Sequence, residues 1–187
     1  MSDACFTELV SERIVLRRFA AADLADFVRY RSHPEVARYQ TWDAPYPQSS
    51  GERLISGLAE HHPDTPGEWF QYAMILRSSN ELIGDYGAAT DAEDPRLAEI
   101  GFTLSVQHQG HGYANEGARA LLDYLFGDRG KHRVSARCDP RNTASQRLLE
   151  RIGMRMEGHL RQNSWAKGEW TDELLYAMLD YEWAERR

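Results

Sequence analysis

The segment QHQGHGYANEG, residues 107–117, places two glycines one residue apart between an apolar strand-like run and a helix-like run. The N-terminus of a helix carries free backbone N–H groups and the positive end of the helix dipole, which together bind phosphate. Glycine at positions 110 and 112 would let a ligand approach those groups without a Cβ in the way. A tight strand-to-helix turn without a ligand explains the same pattern, so the glycines alone leave both interpretations open.

Three known phosphate-binding patterns can be tested on this segment. The dinucleotide fingerprint requires a third glycine where Asn115 stands, so it fails. Gly112 and Gly117 have the Walker spacing, but Ala-Arg follows them in place of the essential lysine. The pattern Gln/Arg-x-x-Gly-x-Gly/Ala fits without a mismatch, through Gln107, Gly110 and Gly112.

The order of predicted elements indicates an α+β fold. Strands are predicted at residues 13–19, 69–76, 81–90, 97–105 and 132–138. Helices are predicted at residues 21–31, from a capping box of Ser49 and Glu52 to about His61, along a face from Ala114 to Leu125, and at residues 144–152 before Gly153. Periodicity alone leaves residues 172–183 open between strand and helix, and we favour a strand. An antiparallel front half and a βα-type back half follow.

Composition narrows the classes of partner and setting. A chain of 187 residues with 42% apolar and 27% charged residues is typical of one globular domain, predicted over residues 1–187. The net charge of -7 argues against a nucleic-acid partner. No stretch approaches the ~20 apolar residues of a membrane span, and no signal peptide is recognisable. The two cysteines, Cys5 and Cys138, make no disulfide framework, so a cytoplasmic setting is expected.

Nearly the whole chain resembles the GCN5-related N-acetyltransferases (GNAT), in their ribosomal-protein-alanine acetyltransferase (RimJ/RimL) branch. Four segments carry the resemblance in the family's order: residues 13–30, 99–126, 132–162 and 170–183. The first segment matches the family's opening strand and helix, and the second matches its fourth strand, pyrophosphate loop and following helix. The third matches the fifth strand, the Asn-x-x-Ser segment and the sixth strand, and the fourth matches the closing strand. The resemblance implies a three-layer fold with a mixed, mostly antiparallel sheet of about seven strands, helices on both faces, and splayed fourth and fifth strands.

The resemblance also implies acetyl-coenzyme A as donor and an amine as acceptor, either a small molecule or a protein N-terminus. The loop is expected to hold the pyrophosphate through backbone N–H groups, and the strand after Gly101 is expected to pair with the pantetheine arm. The implied coenzyme-binding residues are Phe102, Leu104, Val106, Gln107, Gln109, Gly110, His111, Gly112, Ala114, Asn142 and Ser145. No metal is expected, because the seven histidines show no zinc-ligand spacing.

Acyl transfer to an amine requires a base for the ammonium and is helped by an acid for the departing thiolate. By resemblance, Glu99 is the candidate base and Ser145, from Asn142-Thr-Ala-Ser, the candidate acid. An exposed strand glutamate and simple helix capping by Asn142 or Thr143 remain open as alternatives. The acid that some ribosomal-protein members carry after the sixth strand is replaced here by Ser164, which leaves the base in doubt.

The acceptor site is expected where the family shapes it, in the loop after the first helix and after the sixth strand. Its candidate residues are Trp42, Tyr46, Asp85 and Trp165. Core packing is an equal alternative for many of the aromatic residues, Trp69 among them. Cys138 is better explained as a buried apolar residue than as a nucleophile. Non-catalytic acyl-coenzyme A binding, a longer donor such as succinyl-coenzyme A, and a monomer or a homodimer all remain open.

Overall fold

The structure is a computed structural model and describes residues 8–186 of the 187-residue chain, so Cys5 lies outside the described residues. Its eight strands form one sheet. They are β1 (Glu8–Val10), β2 (Ile14–Arg17), β3 (Trp69–Leu76), β4 (Glu81–Thr90), β5 (Leu97–Leu104), β6 (Arg133–Cys138), β7 (Arg155–Ala166) and β8 (Glu169–Leu179). The helices are α1 (Leu24–Arg31), α2 (Pro34–Ala37), α3 (Gln48–Glu60), α4 (Tyr113–Asp123), α5 (Thr143–Ile152) and α6 (Asp180–Ala184).

The strands lie in the order β1-β2-β3-β4-β5-β6-β8-β7. Every neighbouring pair is antiparallel except β5 and β6, which are parallel. The parallel pairing runs from Leu97 opposite Arg133 to Ile100 opposite Ala136 and stops there, although both strands continue. The strands therefore separate from Gly101 onward. This confirms the predicted splay, between the strands that are fourth and fifth in the family.

The two faces of the sheet pack against different helices. Tyr86 and Phe102 are register partners on β4 and β5, and the Tyr86 hydroxyl donates to the carbonyl of Ala114 in α4. Asp85 and Thr103, the next register pair, point to the opposite face, where Asp85 meets side chains of α1. Since side chains alternate along a strand, this assigns each residue of β5 to the α4 face or the α1 face. Helices on both faces explain why β3 and β4 are buried almost throughout.

Several predicted boundaries were wrong for local reasons. The sheet has one strand more than predicted, because β1 is only three residues long and too short for a periodic signal. No capping box opens α3, which begins at Gln48 after Pro47. A short helix not predicted from the sequence, α2, begins at Pro34, since proline is tolerated in a first turn. Residues 172–183 contain the end of β8, as far as Leu179, and the first four residues of α6, so the preferred strand was right up to Leu179 and wrong beyond it.

Candidate active site

The two loop glycines have backbone conformations that other residues rarely adopt. Gly110 has φ 81° and Gly112 has φ 83°, and α4 begins directly after Gly112. A Cβ at Gly110 would meet no atom within 4 Å, and one at Gly112 would meet only an Arg13 nitrogen, at 3.4 Å. The glycines are therefore required by the left-handed turn rather than by crowding within the chain. Among the described residues no side chain caps this helix start, which leaves its first backbone N–H groups available to a ligand.

An ion pair fixes the loop to the β1–β2 turn. The Arg13 guanidinium donates to Glu116 in the first turn of α4, with Nε to Oε2 at 2.7 Å, and to the carbonyl of His111 at 3.1 Å. It also lies 4.9 Å from the ring centroid of Tyr113. The glycine loop is thus held in place before any ligand binds, which reduces the conformational entropy lost when a ligand binds there.

A cavity of about 590 Å³ lies where β5 and β6 separate. Its volume is in the range of small-molecule and cofactor sites. The lining residues come from both sides of the sheet, with the α4 loop and α5 on one side and the segment from α2 onward on the other. Among the predicted coenzyme-binding residues, the cavity is lined by Phe102, Leu104, Gln109, Gly110, Gly112, Ala114, Asn142 and Ser145.

Three predicted coenzyme-binding residues lie outside that lining. Val106 packs against the hydrophobic core from a single 3-10 turn, Val106–His108. Gln107 and His111 are exposed, and the His111 ring stacks on Tyr113 with centroids 5.7 Å apart. Their side chains are therefore not part of the cavity wall.

The Asn-x-x-Ser segment forms the start of α5. Asn142 is the N-cap, and its Oδ1 accepts a hydrogen bond from the backbone N–H of Ser145 at 3.1 Å. The capping alternative is thus observed for Asn142, whereas Thr143 is the first helical residue. Within residues 8–186 no hydrogen bond engages the Ser145 hydroxyl, and Ser145 lines the cavity. Capping and a role at the cavity are therefore compatible.

Three arginines that the sequence analysis missed also line the cavity. Arg38 follows α2, and Arg147 and Arg151 lie one turn apart on α5. Guanidinium groups are well suited to binding phosphate oxygens. The i, i+4 spacing of the α5 pair was a readable signal, but nothing in the sequence placed Arg38 opposite it.

Glu99 lies on the α1 face, two residues before the strands separate. Its Oε2 is 3.7 Å from Arg137 Nε, and the same guanidinium lies 3.6 Å from Glu173. Burial raises the pKa of the Glu99 carboxyl; Arg137 counteracts this shift and the negative charge of Glu173 adds to it. No hydrogen bond within the described residues engages the carboxylate. Glu99 is thus a half-buried acid beside the opening between β5 and β6.

The predicted acceptor residues lie in two places: Asp85, Trp42 and Tyr46 surround Arg31, and Trp165 lies in the β7–β8 hairpin. Asp85 is only 2% exposed, and its oxygens accept from Tyr30 at 2.5 Å and from Arg31 at 2.8 Å. The Arg31 guanidinium in turn stacks against Trp42 and Tyr46, at 4.1 and 5.4 Å from the ring centroids. Asp85 is therefore the buried partner of Arg31, whose guanidinium lies against Trp42 and Tyr46, and its predicted role in acceptor binding stays a prediction. Tyr46 is buried and Trp42 is partly exposed.

Trp165 lies apart from these residues, near the turn of the β7–β8 hairpin. It is 61% exposed and packs edge-on against Trp170, with centroids 5.4 Å apart. At the hairpin turn, Lys167 Nζ donates to the carbonyl of Ala37 in α2 at 2.6 Å. The hairpin thus reaches across to α2, and its indoles lie on the surface beside it.

Cys138 and Ser164 do not have the surroundings of a nucleophile or a base. Burial, together with nearby Asp139 and Glu150, raises the pKa of the Cys138 thiol to about 11. That thiol is protonated at neutral pH, which disfavours a nucleophilic role. Ser164 pairs in register with Thr171, whose hydroxyl donates to the Ser164 carbonyl. Among residues 8–186 there is no group of three His, Cys, Asp or Glu side chains suited to a metal ion.

Comparison with known proteins identifies the family. The family described as "Acetyltransferase (GNAT) domain" matches residues 13–155. The uncharacterized N-acetyltransferase p20 of Bacillus licheniformis is 31% identical over 180 residues, covering 94% of this chain and 98% of that protein. The ribosomal protein uS5-alanine N-acetyltransferase of Escherichia coli (strain K12) is 25% identical over 184 residues, covering 96% and 94% of the two chains.

Solved structures of related acetyltransferases have the same fold as this chain. The crystal structure of an acetyltransferase (GNAT family) from Bacillus anthracis superposes with a TM-score of 0.85 at 28% identity, covering 94% of this chain and 100% of that chain. Mycobacterium smegmatis RimJ in complex with CoA-disulfide gives a TM-score of 0.78 at 25% identity, covering 90% and 83%. The chain belongs to the GNAT acetyltransferase family and is an N-acetyltransferase. None of the helices within residues 8–186 has the length and apolar character to cross a membrane.

Proposed function

We propose that this enzyme transfers an acetyl group from acetyl-coenzyme A to a primary α-amine, by direct attack in a ternary complex. The observation that carries the proposal is the opening of the sheet after Ile100 and Ala136. The glycine loop and Ser145 line the cavity at this opening, and Glu99 lies on the α1 face two residues before the opening, outside the cavity lining. Donor and acceptor can therefore meet between the strands from opposite faces.

The residues around the cavity fit the coenzyme. The unpaired β5 backbone after Gly101 offers hydrogen-bonding groups to an extended amide-containing arm. Uncapped N–H groups at the start of α4, with Arg147 and Arg151 on α5, suit a pyrophosphate and a further phosphate. When bound, the coenzyme supplies the acetyl group as a thioester. The family's use of acetyl-coenzyme A supports this donor over a longer acyl group.

Glu99 would accept the proton that the ammonium must lose before attack. Its raised pKa brings the carboxylate closer to the operating pH, which favours a general base. Its oxygens accept no hydrogen bond within the described residues, so they can accept one from a bridging water. Ser145 Oγ would donate its proton toward the departing sulfur from the start of α5, where the Asn142 cap orients the residue.

The energetics of deprotonation favour an α-amine over a lysine side chain. A lysine amine with pKa ~10.4 is neutral in about one molecule in 2,500 at pH 7, which costs roughly 4.6 kcal/mol, whereas an α-amine near 8 costs about 1.4 kcal/mol. A single half-buried carboxylate suits the smaller demand. The similarity to an enzyme named for an alanine of ribosomal protein uS5 supports the same choice. We propose a cytoplasmic, single-domain enzyme with a small-molecule α-amine or a protein N-terminus as acceptor.

A panel assay of released thiol tests the proposal. Amino-acid amides, short peptides with free or blocked N-termini, and lysine-containing peptides are compared with acetyl- and succinyl-coenzyme A as donors. We expect acetyl-coenzyme A and free α-amines to give the highest kcat/KM. Faster acetylation of N-terminally blocked lysine peptides would contradict the acceptor assignment, and no thiol release with any amine would contradict the function.

A further inference from the structure

Trp69 begins β3 on the α1 face and remains 47% exposed. Its ring lies over two glycines, Gly87 and Gly101, which face each other in register on β4 and β5. A Cβ at Gly87 would lie only 3.0 Å from the ring atom Cε3, and one at Gly101 would lie 3.8 Å from Cζ3. The paired glycines therefore form a notch, defined by these two residues, that lets the indole lie close against the sheet.

The notch lies at the opening between β5 and β6. Gly101 is the first β5 residue beyond the last pair with β6. Glu99 points to the same face two residues earlier, and a strand rises about 3.3 Å per residue, so the two Cα atoms are about 6.6 Å apart. A group bound by the Glu99 carboxylate at the opening is therefore within reach of the indole.

The charges around this position favour a cation. Glu99 and Glu173 supply two carboxylates, and Arg137 is the cation that lies between them. An ammonium within about 6 Å of an indole centroid is attracted by the negative face of the ring. A protonated amine held between Trp69 and Glu99 would thus gain from both groups, whereas a neutral arylamine would gain little from either.

We infer that Trp69 is an acceptor-binding residue, whose indole holds the ammonium form of an aliphatic amine beside Glu99 before the proton is removed. This inference rests on the proposed function. It adds a specificity: amines that are cationic at neutral pH bind better than neutral amines of the same shape. The structural alternative is that the indole only covers the bare glycine backbone, which also stabilises sheets. A purely structural role would not distinguish ligand charge.

The test uses a matched pair of non-reactive probes, a trimethylalkylammonium compound and its neutral tert-butyl isostere. Binding of each to the full chain is measured by calorimetry with coenzyme A present, so the readout does not depend on turnover. The variants are Trp69→Leu, which removes the aromatic ring, and Trp69→Phe, which keeps one. Tyr181→Leu is the control, since Tyr181 is an exposed aromatic on α6.

We expect the wild type and Tyr181→Leu to prefer the cationic probe by about 2- to 30-fold. The preference should disappear in Trp69→Leu and persist in part in Trp69→Phe, with coenzyme affinity unchanged in both. No charge preference in the wild type, an undiminished preference in Trp69→Leu, or an equal loss in both Trp69 variants would overturn the inference. Failure of the proposed function would be seen separately, as no thiol release from the wild type with any amine.

Discussion

The two sides of the opening between β5 and β6 are built by different means. On the α4 side, the glycine loop contributes backbone, namely two left-handed glycines, an uncapped helix start and an unpaired strand edge, beside the side chains of Ser145 and the α5 arginines. On the α1 side it consists of side chains from distant segments, including Trp69, Glu99 and Arg137. Backbone recognition suits a ligand that is the same for every member of a family, and side-chain recognition suits one that varies.

This difference between the two sides predicts how substitutions on each side affect binding and activity. The glycine loop depends on conformations that few residues can adopt, so substitutions of its glycines are expected to damage donor binding whatever the acceptor. On the side-chain side each residue contributes separately, so substitutions there should act according to the chemistry of the amine.

The largest effect is expected from Ser145→Ala. If the hydroxyl protonates the departing sulfur, turnover should fall by about 10²–10⁴-fold for every amine, because leaving-group assistance does not depend on the acceptor. Coenzyme affinity should change little. Single-turnover kinetics and calorimetry measure the two quantities, and Thr143→Ala, at the exposed first position of the same helix, is the control. A loss of only a few-fold would exclude Ser145 as the acid.

Glu99→Gln should reduce the rate by about 10²-fold at pH 7, with partial recovery as the pH rises. The wild-type rate should increase as the carboxyl loses its proton, and because burial raises the pKa of Glu99, this limb should lie at higher pH than for an exposed glutamate. The variant lacks this limb and depends on amine that is already neutral. The defect should therefore be larger for more basic amines, unlike the defect of Ser145→Ala.

The pH–rate profile of kcat/KM, recorded with two amines of different basicity, checks this prediction. An equal loss at every pH and for both amines would mean that Glu99 only positions the acceptor.

Sequence alone predicted the α4 side better than the α1 side, and the reason is the range of the interactions. The glycine loop and the Asn142 cap are encoded within a few consecutive residues. By contrast, Arg137 and Glu173 reach Glu99 only because β6 and β8 lie beside β5 in the folded sheet. The burial of Asp85 by Arg31 likewise depends on packing between α1 and β4, which no local pattern reveals.

The secondary structure was also predicted well where the sequence signal is long and poorly where it is short. The long elements and the splay followed from periodicity and resemblance, whereas β1 and α2 did not, because three or four residues carry no periodic signal. The start of α3 was misplaced because a capping-box pattern does not guarantee the capping geometry.

Gly112→Val should weaken coenzyme binding by about 10- to 100-fold, as expected when a β-branched residue is forced to a positive φ at a cost of about 1–3 kcal/mol. Calorimetry with coenzyme A measures the change. Gly168→Val is a matched control, because Gly168 has a similar φ of 81° and open space around its Cβ position but lies in the β7–β8 turn. Equal affinity in the wild type and Gly112→Val would remove the loop from the coenzyme site.

The smallest effect concerns stability, and it has the opposite sign to the effect on activity. A carboxyl whose pKa is raised in the folded state favours folding while it is protonated, and this contribution is lost as the pH rises through the folded-state pKa. Ionised Glu99 therefore disfavours the folded state at neutral pH, and Glu99→Gln should raise Tm there, by a shift on the order of 1 °C. Below the ordinary pKa of glutamate the difference should vanish, because both side chains are then neutral. Thermal unfolding of the wild type and Glu99→Gln at pH 7 and at pH 3.5, with the exposed Glu52→Gln as control, measures it. A lower Tm for Glu99→Gln at pH 7 would mean that attraction to Arg137 outweighs burial, and Glu99 would then be a structural ion-pair partner.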